Sequence, residues 1–145
     1  DLGSLYDDQG NLRDWWTKED RQAFTQRAEQ FKKHFGAIEV LPGHKVDEEL
    51  TLGENIADTG AISVISFMLE NDPEALKEMF TSHARVWASV SGEEELKDQL
   101  IHDEHAPAKV RVNAVLSLTK AFYKAFDVKP EDKMYVAPEN RVKMF

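Results

Sequence analysis

Two carboxylates four residues apart, Glu54 and Asp58, are the side chains whose types and spacing most directly suggest chemistry. On a helix this spacing puts both carboxylates on one face, one turn apart. The residues around them are apolar on nearly every side, which predicts a helix that is buried all round. A buried carboxylate needs a cation, a metal ion or a full set of hydrogen bonds, so this pair requires an explanation.

Spacing alone leaves two interpretations of the pair open. Thr51-x-x-Glu54 ahead of an apolar run matches a capping box, in which Glu54 closes the start of its own helix. Asp58 would then accept a hydrogen bond from the backbone or from an arginine. In the second interpretation, one carboxylate binds a metal ion and the other orients a neighbouring ligand of that ion.

Five segments, in the same order, resemble the neprilysin family of metallopeptidases, and most closely its bacterial endopeptidase O branch. Residues 53–58 (Gly-Glu-Asn-Ile-Ala-Asp) look like the second zinc motif of that family. Residues 103–107 (Asp-Glu-His-Ala-Pro) look like its Asp-x-His-(Ala/Ser)-Pro motif. The other matching segments are residues 11–17, 122–130 and 134–139. Because the segments extend over nearly the whole chain, they are together more specific than any single one.

The resemblance implies catalytic roles for four residues. Glu54 would be the third protein ligand of a zinc ion, and Asp58 would accept the outer ring N–H of a zinc-bound histidine. His105 would donate a hydrogen bond to the oxyanion that develops during peptide cleavage, and Asp103 would hold that imidazole in place. On the residues alone, a histidine after Asp-Glu and before Pro is interpreted as a surface residue of a loop.

The resemblance also implies two substrate-binding residues. Arg111 would bind a backbone carbonyl of the substrate, and Trp87 would line the pocket for the residue after the scissile bond. The residues themselves leave simpler interpretations open, an ordinary surface ion pair for Arg111 and a core position for Trp87. The remaining histidines match no motif and are interpreted as structural or exposed: His34, His44, His83 and His102.

The sequence contains no His-Glu-x-x-His, the motif that supplies two zinc ligands and the general base in this family. We therefore expect the chain to be the C-terminal part of a longer catalytic domain. The full-length enzyme would hold one zinc ion and cleave oligopeptides on the amino side of hydrophobic residues. The fragment alone is expected to be inactive and to bind zinc weakly or not at all. The alternative is an acidic α-helical interaction module without catalysis.

Composition restricts the class of protein and its partners. The 145 residues are enough for one domain, taken as residues 1–145. A net charge of −9 argues against nucleic acid as a partner, because phosphate binding needs a basic patch. No apolar run reaches the roughly 18 residues of a membrane helix, so no membrane contact is expected. The absence of cysteine excludes disulfides and fits a reducing cytoplasm.

The pattern predicts a mainly α fold with one or two short extended pieces, the helical C-terminal subdomain of a gluzincin-type metallopeptidase. Thr17 and Asp72 are predicted N-caps, and Gly36 is a predicted helix stop. Residues 38–46 could form short extended pieces or a hairpin, and the tail from residue 127 is expected to be a loop. From residue 110 the signals conflict: apolar residues from 115 to 126 have helical spacing, whereas residues 110–112 could be extended, and the resemblance favours an extended or irregular lead-in. Helices are predicted over residues 18–35, 48–70, 74–90, a short segment ending near 102, and 119–126.

Overall fold

Helix is the main secondary structure in the computed structural model of the chain, which describes residues 2–144. The mainly α prediction is therefore confirmed, as is a single short hairpin within the described residues. The elements are α1 (Lys18–Gly36), β1 (Glu39–Leu41), β2 (His44–Lys45), α2 (Leu52–Met68), α3 (Pro73–Val86), α4 (Glu93–His102), α5 (Ala108–Leu118) and α6 (Lys120–Phe126). None of these helices has the length and hydropathy needed to span a membrane.

Two of the helices begin where their capping residues predict. The Thr17 side chain accepts a hydrogen bond from the backbone N–H of Asp20 (3.0 Å), and Asp72 accepts one from Ala75 (3.0 Å). Such caps satisfy backbone donors that a helix start leaves free. Gly36 is the last residue of α1 rather than the residue after it, and α3 ends at Val86, earlier than predicted.

Helix α2 begins later than predicted because Asp47 organises the turn before it. Asp47 Oδ1 accepts hydrogen bonds from the backbone N–H groups of Glu49 and Leu50. The Thr51 hydroxyl donates to the backbone carbonyl of Asp47 (2.7 Å) and makes no capping bond to α2. The capping box is therefore absent, and the Glu54 carboxylate is not used to close its own helix. The other part of that interpretation is confirmed, because Asp58 accepts hydrogen bonds from an arginine, Arg111.

Helix α2 is buried on one face only, and that face is polar. Its buried residues are Asn55, Thr59, Ile62 and Ser66, so the prediction of a helix buried all round is wrong for this chain. Asn55 Nδ2 donates to the Thr51 hydroxyl (2.9 Å), and the Thr59 hydroxyl donates to the Asn55 carbonyl (2.8 Å). Because these short side chains satisfy their hydrogen bonds along the helix itself, α2 can pack closely against α5.

Helix α5 replaces the extended segment expected over residues 110–112. Pro107 precedes it with φ −53°, an angle that suits entry into a helix, and α5 then runs from Ala108 to Leu118. Seven of its residues are buried, so tertiary packing outweighs the weak helix propensity of its valines. This correction matters for the site, because α5 carries Arg111 towards α2.

A candidate catalytic cleft

The carboxylate of Glu54 and the imidazole of His105 meet at one edge of the fold. Glu54 lies in the first turn of α2, and His105 lies in the loop between α4 and α5. Glu54 Oε2 is 3.2 Å from His105 Nε2, although 50 residues of sequence separate the two side chains. Both side chains are partly exposed, at 37% for Glu54 and 38% for His105. The pair is therefore open to a ligand from the solvent side.

Asp103 holds the His105 ring from its other side. Asp103 Oδ1 accepts the backbone N–H of His105 (2.8 Å) and lies 2.9 Å from its Nδ1. These two contacts hold the pKa of Asp103 below its ordinary value, and the hydrogen bond from the His105 backbone has the larger effect. Gln99 donates to the backbone carbonyl of His105 (3.3 Å), and the buried Pro107 stiffens the end of the loop. The imidazole is thus oriented by the loop that carries it.

Asp58 and Arg111 form a bidentate ion pair one turn further along α2. Arg111 Nε donates to Asp58 Oδ2 and its Nη2 donates to Oδ1, both at 2.7 Å. The side chains are 17% and 14% exposed, so Arg111 is not the ordinary surface ion pair that composition allowed. The hydrogen bond to Asp58 raises the pKa of Arg111, against the opposing effect of burial. Each carboxylate oxygen has a second lone pair, so Asp58 can still accept another donor.

Trp87 supports the same arginine from the end of α3. The Arg111 Cζ lies 4.0 Å from the centroid of the Trp87 ring, a cation–π contact. Trp87 is only partly buried and lines the open cleft, so it is both a packing residue and a cleft residue. Stacking and the bond to Asp58 together hold the guanidinium in one orientation.

A cleft of about 690 Å³ runs beside the α4–α5 loop and is bordered by Trp87, Asp103, His105 and Arg111. The Glu54–His105 contact lies at its edge. A cleft of this size falls in the range of small-ligand pockets. Its apolar wall is provided by residues in and just before β1, after α3, in α4, in the α4–α5 loop and in α5: Ile38, Val40, Trp87, Val90, Leu96, Ala106 and Val110. Its polar side chains, Asp103, His105 and Arg111 among them, come from every element around the cleft: Glu39, Ser89, Ser91, Gln99, Asp103, His105, Lys109, Arg111 and Asn113. A short apolar side chain next to a polar backbone would match this lining.

His83 is a neighbour of the cleft that sequence reasoning missed. Its Nε2 is buried and has no hydrogen-bond partner within residues 2–144. Burial lowers its pKa, with Asp58 opposing that shift and Arg111 adding to it. The sequence feature that could have indicated this position is the spacing of four residues between His83 and Trp87, which puts both residues on the same face of a helix.

Glu54 fits one position in a zinc site. A carboxylate oxygen is a common zinc ligand, and this one is accessible and does not cap its own helix. Asp58 lies one turn away, where it can accept a hydrogen bond from a neighbouring ligand. No group of three His, Asp or Glu side chains in the described part of the chain is arranged to hold a metal ion.

The Asp58–Arg111 pair predicts a large and non-additive effect on stability. Changing Asp58 to Leu leaves a mostly buried guanidinium unpaired, so we expect the free energy of unfolding to fall by about 3 kcal/mol. Changing Asp58 to Leu together with Arg111 to Met should cost clearly less than the single change, because no charge is then left alone. Urea unfolding of the chain and its variants measures both values. Additive losses would contradict a coupled pair.

Comparison with known proteins places the whole chain beside one group of peptidases. A profile of peptidase family M13 matches residues 1–142. A neutral endopeptidase from Lactobacillus helveticus is 36% identical over 140 residues, which are 97% of this chain and 22% of that protein.

Two solved structures share this fold. PepO from Lactobacillus rhamnosis HN001 superposes with a TM-score of 0.91 at 39% identity, covering 98% of this chain and 23% of its own. The zinc metalloprotease Zmp1 of Mycobacterium tuberculosis, in complex with an inhibitor, gives 0.90 at 32% identity, covering 99% and 24%. The chain therefore spans less than a quarter of the length of these relatives.

Proposed function

The chain belongs to peptidase family M13, and we propose that it forms the C-terminal part of the catalytic domain of a zinc-dependent endopeptidase. The full-length protein would cleave oligopeptides on the amino side of hydrophobic residues. The observation that carries this proposal is the 3.2 Å approach of Glu54 Oε2 to His105 Nε2, which brings two distant motifs together at the edge of the open cleft that His105 lines.

Glu54 would hold the zinc ion together with two histidines from an upstream segment of the full-length protein. When bound, zinc polarises the scissile carbonyl and lowers the pKa of a water molecule. Asp58 would accept the outer N–H of one of those histidines and so fix its orientation, while keeping its bonds to Arg111. A chain that supplies only Glu54 would bind zinc weakly, so we propose that the fragment alone is inactive.

His105 would donate a hydrogen bond to the oxyanion that develops on the scissile carbonyl. A donor of this kind is effective when it is already oriented before the reaction. Asp103 supports that orientation through its contact with Nδ1 of His105. The other ring nitrogen, Nε2, is then directed towards the Glu54 carboxylate, where the zinc ion would bind. His105 would therefore act on the reacting carbonyl, and Asp103 would act only through His105.

Arg111 and Trp87 would place the substrate. The bond to Asp58 uses Nε and Nη2 of Arg111, and Nη1 has no hydrogen bond within residues 2–144. That group can donate to a backbone carbonyl of the substrate. Trp87, with the apolar wall of the cleft, would contact the hydrophobic side chain that follows the scissile bond.

The exposed face of α2 is where the upstream part of the domain would pack. Small and apolar residues continue along the face that begins with Glu54 and Asp58: Ala57, Ala61, Val64, Ile65 and Met68. All five are exposed, and an apolar stripe of this length is typical of an interface. Packing on this stripe would bring the upstream zinc ligands towards Glu54. An interaction module without catalysis remains the second candidate for this face.

The substrate preference tests the proposal. In the full-length protein we expect cleavage before Leu or Phe and little cleavage before Asp, with loss of activity after zinc removal. Changing Trp87 to Ala should lower kcat/KM about tenfold for a peptide with Phe after the scissile bond, and less for one with Ala. Mass spectrometry of the cleaved peptides and initial rates give these values.

The matched control is Trp15 to Ala, a half-exposed tryptophan that does not line the cleft. It should leave the preference unchanged. Equal cleavage before Phe and Asp would contradict the proposed specificity, and a full-length protein without peptidase activity would favour the interaction module.

A further inference from the structure

A second cavity lies away from the cleft, between the C-terminal half of α2, the start of α6 and the chain from residue 138 to 144. Its volume is about 860 Å³, and it shares no described lining residue with the catalytic cleft. The roles proposed for Glu54, His105 and Arg111 do not use it. It therefore needs an explanation of its own.

Positive charge is concentrated around this cavity. Four cationic side chains line it: Lys120, Lys124, Arg141 and Lys143. Glu70 is the one carboxylate among its described lining residues. This is unexpected in a chain with 27 acidic and 18 basic residues. Some lysines elsewhere in the chain do pair with carboxylates, as Lys32 and Lys97 do with glutamates. None of the four cavity cations forms an ion pair within residues 2–144.

Arg141 is held in place by uncharged groups. Its Cζ lies 3.5 Å from the centroid of the Tyr123 ring, and its Nε donates to the Val136 carbonyl (2.7 Å). Both terminal Nη groups are left without hydrogen bonds in the described part of the chain. A planar, immobilised guanidinium with free donors suits the geometry of a carboxylate or a phosphate.

The rest of the lining combines hydroxyl and apolar groups. The hydroxyl residues come mainly from α2: Thr59, Ser63, Ser66 and Thr119. Ser66 is only 7% exposed, and its Oγ has no partner within residues 2–144. Apolar walls come from Phe67, Leu76, Leu118, Val142 and Met144. A cationic rim over an apolar wall suits an anion that carries a hydrocarbon part.

We infer that this cavity binds a small anionic ligand through a phosphate or carboxylate group, with Arg141 as the oriented donor and the three lysines supplying attraction. The site is separate from peptide cleavage and does not depend on it. Phosphate and carboxylate share the same recognition chemistry here, and the two differ in the benefit they draw from the apolar wall.

The test is calorimetric titration of the full-length protein with inorganic phosphate and, separately, with hexanoate, at an ionic strength kept constant with chloride. We expect saturable binding of at least one. Changing Lys120, Lys124 and Lys143 together to Gln should weaken that binding by about tenfold or more. All three lysines are exposed, so the variant should fold, which circular dichroism verifies.

The matched control changes Lys18, Lys33 and Lys133 to Gln. These exposed lysines lie outside the cavity, and replacing them removes the same amount of positive charge as the cavity variant does. It should bind like the unmodified protein. Tighter binding of phosphate would identify a phosphate ligand, and tighter binding of hexanoate an apolar carboxylate. Absence of saturable binding by either probe, or equal weakening in both triple variants, would overturn the inference. Peptidase activity is measured in parallel and should be unchanged in both.

Discussion

Changing Glu54 to Gln in the full-length protein should abolish both zinc binding and peptide cleavage. An amide is a much poorer zinc ligand than a carboxylate, and α2 offers no other group at that position. Losing a partner that merely orients a ligand already costs about 10–100-fold in metal affinity or activity, so losing a ligand itself should exceed that range. Initial rates on a fluorogenic peptide and the zinc content of the purified protein measure the effect.

The control for this change is Glu78 to Gln, an exposed glutamate on α3 that forms no ion pair within the described residues. It should retain full activity and one zinc per chain. If the Glu54 variant also kept its zinc and its rate, Glu54 would not be a ligand. If it lost activity but kept its zinc, its role would lie in the reaction and not in holding the metal.

Changing His105 to Ala should lower kcat by about 100-fold to 1000-fold while leaving the zinc content and KM nearly unchanged. The reason is that His105 would donate only to charge that develops in the transition state, so its loss affects the reaction more than substrate binding. Changing Asp103 to Asn should give a smaller loss, since it removes only the orientation of the ring. Steady-state kinetics of the full-length variants separate the two parameters.

His102 to Ala is the matched control, because His102 is exposed and, within residues 2–144, its ring forms hydrogen bonds only with Asp98 on its own helix. It should behave like the unmodified enzyme. A large rise in KM with unchanged kcat for the His105 variant would mean that the imidazole binds substrate and does not stabilise the transition state.

The predicted and observed elements agree where the determining interactions are local. The Thr17 and Asp72 caps bond to backbone groups three residues away, so the chain around them contains all the information required. The extended or irregular segment expected over residues 110–112 is wrong, because the conformation of α5 depends on burial by other helices. The alternation of Val110 and Val112 does not reveal that burial. The predicted start of α2 at residue 48 is wrong, because Asp47, and not Thr51, organises the turn that precedes the helix.

Motifs predict the residues of the candidate site, but they do not predict which arginine pairs with Asp58. Helical spacing puts Glu54 and Asp58 on one face without any tertiary information. The bond from Arg111 to Asp58 spans 53 residues and requires the packing of α5 on α2. His83 lacked any motif, and its position beside this pair emerges only from the fold.

The burial of the polar side of α2 could not be predicted from the sequence for a related reason. Its sequence contains so many apolar residues that the pattern predicts burial on all sides. In the structure Asn55 and Thr59 face the core, while Val64 and Met68 are 61% and 74% exposed. Hydrogen bonds along the helix satisfy Asn55 and Thr59 on the buried side, and the apolar side is left free for a partner surface. A composition-based pattern cannot distinguish these two faces.

The most direct test of the central claim, that Glu54 completes a zinc site begun upstream, is a crystal structure of the zinc-loaded full-length protein. We expect a Glu54 carboxylate oxygen about 2.0–2.2 Å from the zinc ion, with two upstream histidines as the other protein ligands. His105 should face the open coordination position. A zinc ion coordinated without Glu54, or a Glu54 side chain directed away from His105 into solvent, would contradict the account.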